Sequence, residues 1–244
     1  MTIKLSDEEL AVRCAAFDEN YKRISARIAV AAQAAGRNPA DVRLLAATKT
    51  VPVEVINHAL THGITLFGEN RVQEYLSKYD ALVPGAQRHF IGHLQTNKVR
   101  QILDKVDLIE SVGSVHLAQT IAAQCRAAAK AMPVLIEVNI GREASKTGFF
   151  PEEIIEKIAE ISAFDGILVQ GLMAIPPVCE HERQICAYFE QIYKLFVDIS
   201  SKKMDNVNMM YLSMGMSGDF EQAIAFGSNI VRIGTALFGA RNYN

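Results

Sequence analysis

One repeated alternation constrains this chain more than any other feature. Short runs rich in Val, Ile and Leu stand at 43–48, 64–67, 88–91, 108–111, 133–140, 167–172, 208–212 and 229–233. Stretches with apolar residues at helical period lie between them, at 53–62, 70–82, 114–128, 151–161 and 181–199. Strand followed by helix, repeated about eight times, predicts a parallel α/β fold. Several of the strand runs are apolar on both faces, as strands covered by helices should be. Before the first run, residues 1–36 read as a helix. Ser6 and Glu9 stand at capping-box spacing, and Leu10, Cys14, Phe17, Tyr21, Ile24 and Ile28 follow the helical period. Gly36, with Asn38-Pro39 behind it, ends that helix.

Periodicity alone does not separate a closed barrel from an open doubly wound sheet. Two features favour the barrel. No G-x-G-x-x-G follows the first strand, so the dinucleotide fingerprint is missing. Polar or glycine-bearing segments follow almost every strand, and a barrel builds its site from strand C-termini on one face. These segments include Lys49-Thr50, Glu69-Asn70, Gly92-His93, Ser213-Met214-Gly215 and Gly234-Thr235. The expectation is one (β/α)₈ TIM barrel over 43–241 behind the N-terminal helix of 1–36. We read 1–244 as a single domain, without linker, low-complexity tract or internal repeat beyond the βα unit.

Composition narrows the function. Half of the 244 residues are hydrophobic, enough for a sizeable core. The formal charge of −2 carries no nucleic-acid footprint. Cys14, Cys125, Cys179 and Cys186 form no CxxC pair and have no histidines at zinc-ligand spacing, so free thiols in a reducing compartment are expected. Acidic residues at 7–9 stand where a signal peptide would be basic and then apolar, and no run of about 18 apolar residues suggests a membrane span. These features point to the cytoplasm.

Four places could carry chemistry. Lys49 ends an otherwise apolar strand run. A lysine partly withdrawn from water becomes a usable amine nucleophile toward a carbonyl, although a strand-end lysine also snorkels to surface carboxylates. The turn Leu212–Asp219 is rich in glycine and serine and leads into a helix at 220–226, and a second turn, 232–236, follows the last strand. In barrels the loops after strands seven and eight frequently form a phosphate site together, though Ser and Asp are also routine helix caps. Arg232 sits between Val231 and Ile233 in an apolar strand. An inward guanidinium needs an acceptor, either a structural carboxylate or the ring nitrogen of pyridoxal phosphate. Weaker candidates are His58 and His62, one helical turn apart without a third ligand, and 141–147. The latter departs from a phosphate loop because Ser145 replaces the glycine before its lysine.

The ordered blocks around these residues carry a resemblance. They are Ala47-Thr48-Lys49-Thr50, Phe67 to Glu74, His89 to Lys98, Asn139 with Glu143, Lys146 and Gly148, Gly171-Leu172-Met173, Leu212 to Ser217, and Val231 to Arg241. Over nearly its whole length the chain resembles the pyridoxal-phosphate homeostasis protein family, whose barrels are similar to the N-terminal domain of alanine racemases (fold-type III). The match departs from the family pattern at His93, where proline is common; no implied cofactor contact depends on it. The resemblance implies pyridoxal 5′-phosphate held as a Schiff base on Lys49. It implies phosphate contacts at Ser213, Gly234 and Thr235, Arg232 facing the pyridine nitrogen, and Asn70 and Ser217 lining the same mouth. It implies a role in intracellular vitamin B6 homeostasis, buffering or delivering the cofactor to apo-enzymes, without catalysis. A racemase-like enzyme is the alternative. Such racemases need a second base from an added β domain, and the chain's end at Asn244, with Tyr243 beside it, leaves no room for one. A barrel holding another phosphorylated ligand without covalent chemistry is a remoter reading. A monomer is expected.

Overall fold

The computed structural model of the chain describes residues 5–239. Arg241 and Tyr243, and the barrel end expected at 241, lie outside the described residues. Eight strands pair in parallel in sequence order: β1 (Arg43–Ala47), β2 (Leu66–Glu69), β3 (Gln87–Phe90), β4 (Leu108–Val112), β5 (Met132–Val138), β6 (Ile167–Ala174), β7 (Val207–Ser213) and β8 (Ile230–Ile233). β8 pairs back onto β1, with Leu45 opposite Arg232, and closes the barrel. The expected barrel is therefore the observed one. Around it lie α2 (Val53–Thr61), α3 (Val72–Tyr79), α4 (Val99–Ile102), α5 (Val115–Ala127), α6 (Ile154–Ser162), α7 (Glu182–Ser201), α8 (Phe220–Ala225) and α9 (Thr235–Phe238), with α1 (Asp7–Ala34) ahead of them.

Where the elements differ from expectation, the cause is local. The run at 64–67 becomes a strand only from Leu66, because the Ile64 amide is still bonded to Ala59 O at the end of α2. The β3–β4 connection, where no helix is expected, holds only a 3₁₀ turn (Thr96–Lys98) and the four-residue α4. Val99 and Ile102 of that short helix are nevertheless fully buried.

Alternation along the strands divides the core in two. Val134, Ile136, Val169, Leu172, Val231 and Ile233 face outward and pack with the helices into the main core. Leu45, Leu66, Ile91 and Ile230 fill one side of the barrel interior, and Leu108, Leu135 and Met173 fill the other.

α1 closes the ring where α8 and α9, of six and four residues, are too short to cover the β8–β1 seam. The Ser6–Glu9 capping box forms as expected, with both reciprocal hydrogen bonds. At the other end, Gly36 N donates to Gln33 O and Arg37 N to Ala32 O, a Schellman pair. Phe17, Ile24, Ile28 and Ala32 form the buried stripe. Asn20 Nδ2 donates to Leu237 O, Arg27 pairs bidentately with Glu221, and Arg37 Nη1 donates to Ile224 O and Ser228 O. All four cysteines are free thiols, and among the described residues no helix is long and apolar enough to cross a membrane.

Candidate functional site

Because all eight strands run parallel, their C-terminal ends share one face, and Lys49, Asn70, Ser213, Ser217, Arg232, Gly234 and Thr235 all stand at or just past those ends, whereas His58 lies on α2 and His62 at its C-cap. Lys49 is two residues past β1, half-buried, in a turn whose next residue, Thr50, has φ +64°. That conformation costs a β-branched residue about 1–2 kcal/mol and must be held from outside. The hold is visible: Thr50 N donates to Glu74 Oε1 (2.5 Å), and Thr48 Oγ1 donates to Glu69 Oε1 (2.7 Å). Lys78 Nζ bridges the assembly, donating to Glu74 Oε1 at 2.6 Å and Thr48 O at 3.2 Å, with Glu69 Oε1 at 3.4 Å. Burial pushes the Glu69 carboxyl up, while the Lys78 charge and the Thr48 hydroxyl pull it back.

Beneath the mouth, the inward residues change from aliphatic to polar. Arg232 shares a strand face with Ile230, Ser213 with Tyr211, Glu110 with Leu108, and His89 with Ile91, so all four point into the barrel. Arg232 Nη1 donates to Ser213 Oγ (2.6 Å) and Nη2 to Ala174 O (2.9 Å). Ser213 Oγ donates to Glu110 Oε2 (2.6 Å), and His89 Nδ1 donates to Glu110 Oε1 (2.7 Å). Arg232 Nη1 lies 3.9 Å from Glu110 Oε2. Burial pushes the Glu110 carboxyl up, but the His89 hydrogen bond and charge, the Arg232 charge and the Ser213 hydroxyl outweigh it and hold it below its ordinary value. On Arg232 the balance runs the other way. Burial lowers it in spite of Glu110, Asp219 and Glu137, yet a guanidinium keeps its proton. Arg232 therefore has the structural carboxylate that one sequence reading required, reached mainly through Ser213. That carboxylate does not use up the guanidinium, whose charge stays at the floor of the mouth.

The two C-terminal turns meet over this floor. Thr235 Oγ1 donates to Ser217 Oγ (3.2 Å), and the Ala236 amide donates to the same oxygen (3.3 Å). Gly215, at φ +94°, lets the β7 turn fold back on α8; a Cβ there would sit 2.6 Å from the Ala223 Cβ. A Cβ on Gly234 would come within 3.3 Å of Ala47 O, so the second turn lies against the end of β1, two residues before Lys49. Asn70 stands across the mouth after β2, held where Gly92 has no side chain; a Cβ on Gly92 would overlap Asn70 O at 2.1 Å. Asn70 Oδ1 is buried and accepts no hydrogen bond among the described residues.

Asn70 also opens onto a groove of roughly 370 Å³ lined by Arg71, Glu74, His93, Gln95 and Lys98. Lys146 pairs with Glu143. His58 bonds Asp18 at 2.8 Å, and no set of three or more His, Cys, Asp or Glu able to hold a metal occurs among the described residues.

Sequence reading did not single out Glu110, His89, Glu69, Glu74 or Lys78. Glu110 was open to the argument that found Arg232, a charge inside an apolar strand run. Glu74 and Lys78 stand at i, i+4 on a helix, which reads as a solvated pair until the burial of Lys78 is known.

The chain matches the family model described as alanine racemase, N-terminal domain, over residues 14–242. It is 43% identical over 226 residues to the pyridoxal phosphate homeostasis protein of Aquifex aeolicus, covering 92% of this chain and 98% of that one. The crystal structure of an unknown protein from Bifidobacterium adolescentis superimposes with a TM-score of 0.90 at 37% identity, over 96% of this chain and 98% of that one. PipY of Synechococcus elongatus with pyridoxal phosphate bound superimposes with a TM-score of 0.76 at 29% identity, over 88% of this chain and all of that one. The chain belongs to the pyridoxal phosphate homeostasis protein family, built on the barrel of the alanine racemase N-terminal domain.

Proposed function

We propose that this protein holds pyridoxal 5′-phosphate at the barrel mouth, with Lys49 as its covalent anchor, and buffers or delivers it in the cytoplasm. One observation carries the reading. At a single end of the barrel, the turn after β1 that carries Lys49 stands with a buried guanidinium and with two turns joined through the hydroxyls of Ser217 and Thr235. The donor set fits the group: an amine for an aldehyde, hydroxyls and a main-chain amide for a phosphate, and a buried unpartnered acceptor in Asn70 Oδ1.

When bound, pyridoxal phosphate supplies an aldehyde that condenses reversibly with a primary amine. Lys49 provides that amine. Gly234, Thr235 and Ser217 hold the phosphate where the two turns meet. Arg232 faces the pyridine nitrogen and, keeping its own proton, leaves that nitrogen unprotonated. Ser213, from which the resemblance implies a phosphate contact, has its buried hydroxyl occupied by Glu110 and Arg232, so it joins the site through its hold on Arg232. Asn70 accepts a hydrogen bond from the cofactor's polar edge. An arginine at the ring nitrogen makes the ring a weaker electron sink. The relatives are named for homeostasis and not for a reaction. Apo-enzymes that need the cofactor are the proposed recipients, the proposed form is a monomer, and 1–244 is proposed as one domain.

Borohydride reduction after incubation with pyridoxal phosphate, followed by peptide mass mapping, tests the reading. The expected label is concentrated on Lys49 and absent in Lys49→Ala. Label spread evenly over surface lysines would sink the covalent anchor.

A further inference from the structure

The Lys49 turn is held by residues that do not belong to the cofactor set. Thr48 and Thr50, its two chain neighbours, are each tied to a side chain of another element. Thr48 is tied twice, through its hydroxyl to Glu69 at the end of β2 and through its carbonyl to Lys78 in the last turn of α3. Thr50 is tied once, through its amide to Glu74 in the first turn of α3. Lys78 and Glu74 are bonded to each other at 2.6 Å. The Lys78 side chain is 9% exposed and that of Glu69 1%. A lysine buried to this degree on a surface helix, with its ammonium on a loop carbonyl and two carboxylates, is not explained by helix stability. An exposed i, i+4 pair would stabilise the helix about as well without burial.

Thr50 gives the arrangement its purpose. A threonine at φ +64° does not keep that conformation by itself. The Glu74 carboxylate on its amide supplies the restraint, and Lys78 holds that carboxylate in place.

We propose that Glu74 and Lys78 are positioning residues for Lys49, clamping the main chain on both sides of it so that its amine is presented to the mouth in one orientation. The inference rests on the reading of Lys49 given above. The step served is simple. Lys49 gives up one proton to water, its nitrogen bonds to the aldehyde carbon as the C–O bonds break, and the aldehyde oxygen leaves as water with the two hydrogens that remained on the nitrogen. The phosphate turns follow β7 and β8, and among the described residues no hydrogen bond or ion pair joins them to Glu74 or Lys78. The clamp should therefore govern how fast Lys49 reacts and leave the affinity for the rest of the ligand alone.

The test compares wild type with Glu74→Ala, Glu74→Gln and Lys78→Met in two measurements. One is the rate of appearance of the imine absorbance with pyridoxal phosphate, with the site confirmed by borohydride trapping and peptide mapping. The other is equilibrium binding of pyridoxine 5′-phosphate, which carries the ring and phosphate but no aldehyde. Glu74→Ala and Lys78→Met should react at Lys49 about tenfold or more slowly. Both should bind pyridoxine phosphate as wild type does. Glu74→Gln keeps an oxygen for the Thr50 amide and should recover most of the rate. Wild-type rates in Glu74→Ala and Lys78→Met would overturn the clamp. So would a parallel loss of pyridoxine phosphate binding, which would mean general loosening of the mouth. If Lys78→Met does not fold, the two variants of Glu74, whose side chain is 20% exposed against 9% for Lys78, decide by the same criteria. If wild type itself carries no label on Lys49, the covalent reading fails and the clamp falls with it.

Discussion

At the scale of single residues, the interior of the barrel is a problem of satisfying charge. Glu110 is fully buried and acceptor to two side chains, so the argument for Arg232 is also an argument for Glu110. Removing its charge would leave the Arg232 guanidinium without its counter-charge, and one of the two donors, His89 or Ser213, without an acceptor in a dry interior. We expect Glu110→Gln to cost about 3–5 kcal/mol at pH 7, read from urea unfolding. The pH dependence has a definite sign. A carboxylate held below its ordinary 4.5 contributes stability that is complete above that value and lost as pH falls through its folded value. The gap between wild type and Glu110→Gln should therefore shrink as pH falls below about 4.5. A gap that stays constant down to acid pH would show that the charge of Glu110 is not what holds Arg232. Legibility from sequence was uneven at this scale. Arg232 stands out because a charged residue interrupts an apolar strand. Glu110 interrupts one too, but only the closed barrel shows that β4 and β8 aim these two side chains at the same interior point.

At the scale of elements, α1 does work that α8 and α9 are too short to do. Phe17 lies at its centre, fully buried and stacked on Tyr21 and Phe238, with His58 edge-on. Phe17→Ala should cost about 3–5 kcal/mol in chemical denaturation, the usual range for emptying such a site. Ser6→Ala, which removes the hydroxyl half of the capping box, should cost only about 1 kcal/mol. If the Phe17 variant lost no more than the cap variant, α1 would be an appendage and not part of the core. The helix expected over 1–36 runs from Asp7 to Ala34: period and Gly36 placed its end to within two residues, while its start is set by the Ser6 cap and not by the first residue. α4 was not readable, since four residues hold barely one turn and no period can be counted.

At the scale of the whole molecule, the barrel interior and the helical shell are filled by the two faces of the same strands. Neither layer can open without exposing the other. Urea transitions followed by far-ultraviolet circular dichroism and by tyrosine fluorescence should therefore coincide. The tyrosines report on both layers: Tyr211 lies against the interior clusters, and Tyr21 and Tyr75 lie in the shell. Separate midpoints would mean that α1 or half of the barrel unfolds alone. The sequence by itself determined the order of the elements and the face on which chemistry collects, and it favoured the barrel whose closure the β8–β1 pairing shows. Those properties follow from periodicity and from turn residues close to one another in the chain. Only the tertiary structure decided the partners of the buried charges. Glu110 with Ser213 and Arg232, and Lys78 with Thr48 and Glu69, come from strands and helices whose distance in space is set by closure of the barrel. Whether a charged side chain is solvated or buried depends on what packs over it, and no local pattern of residues records that.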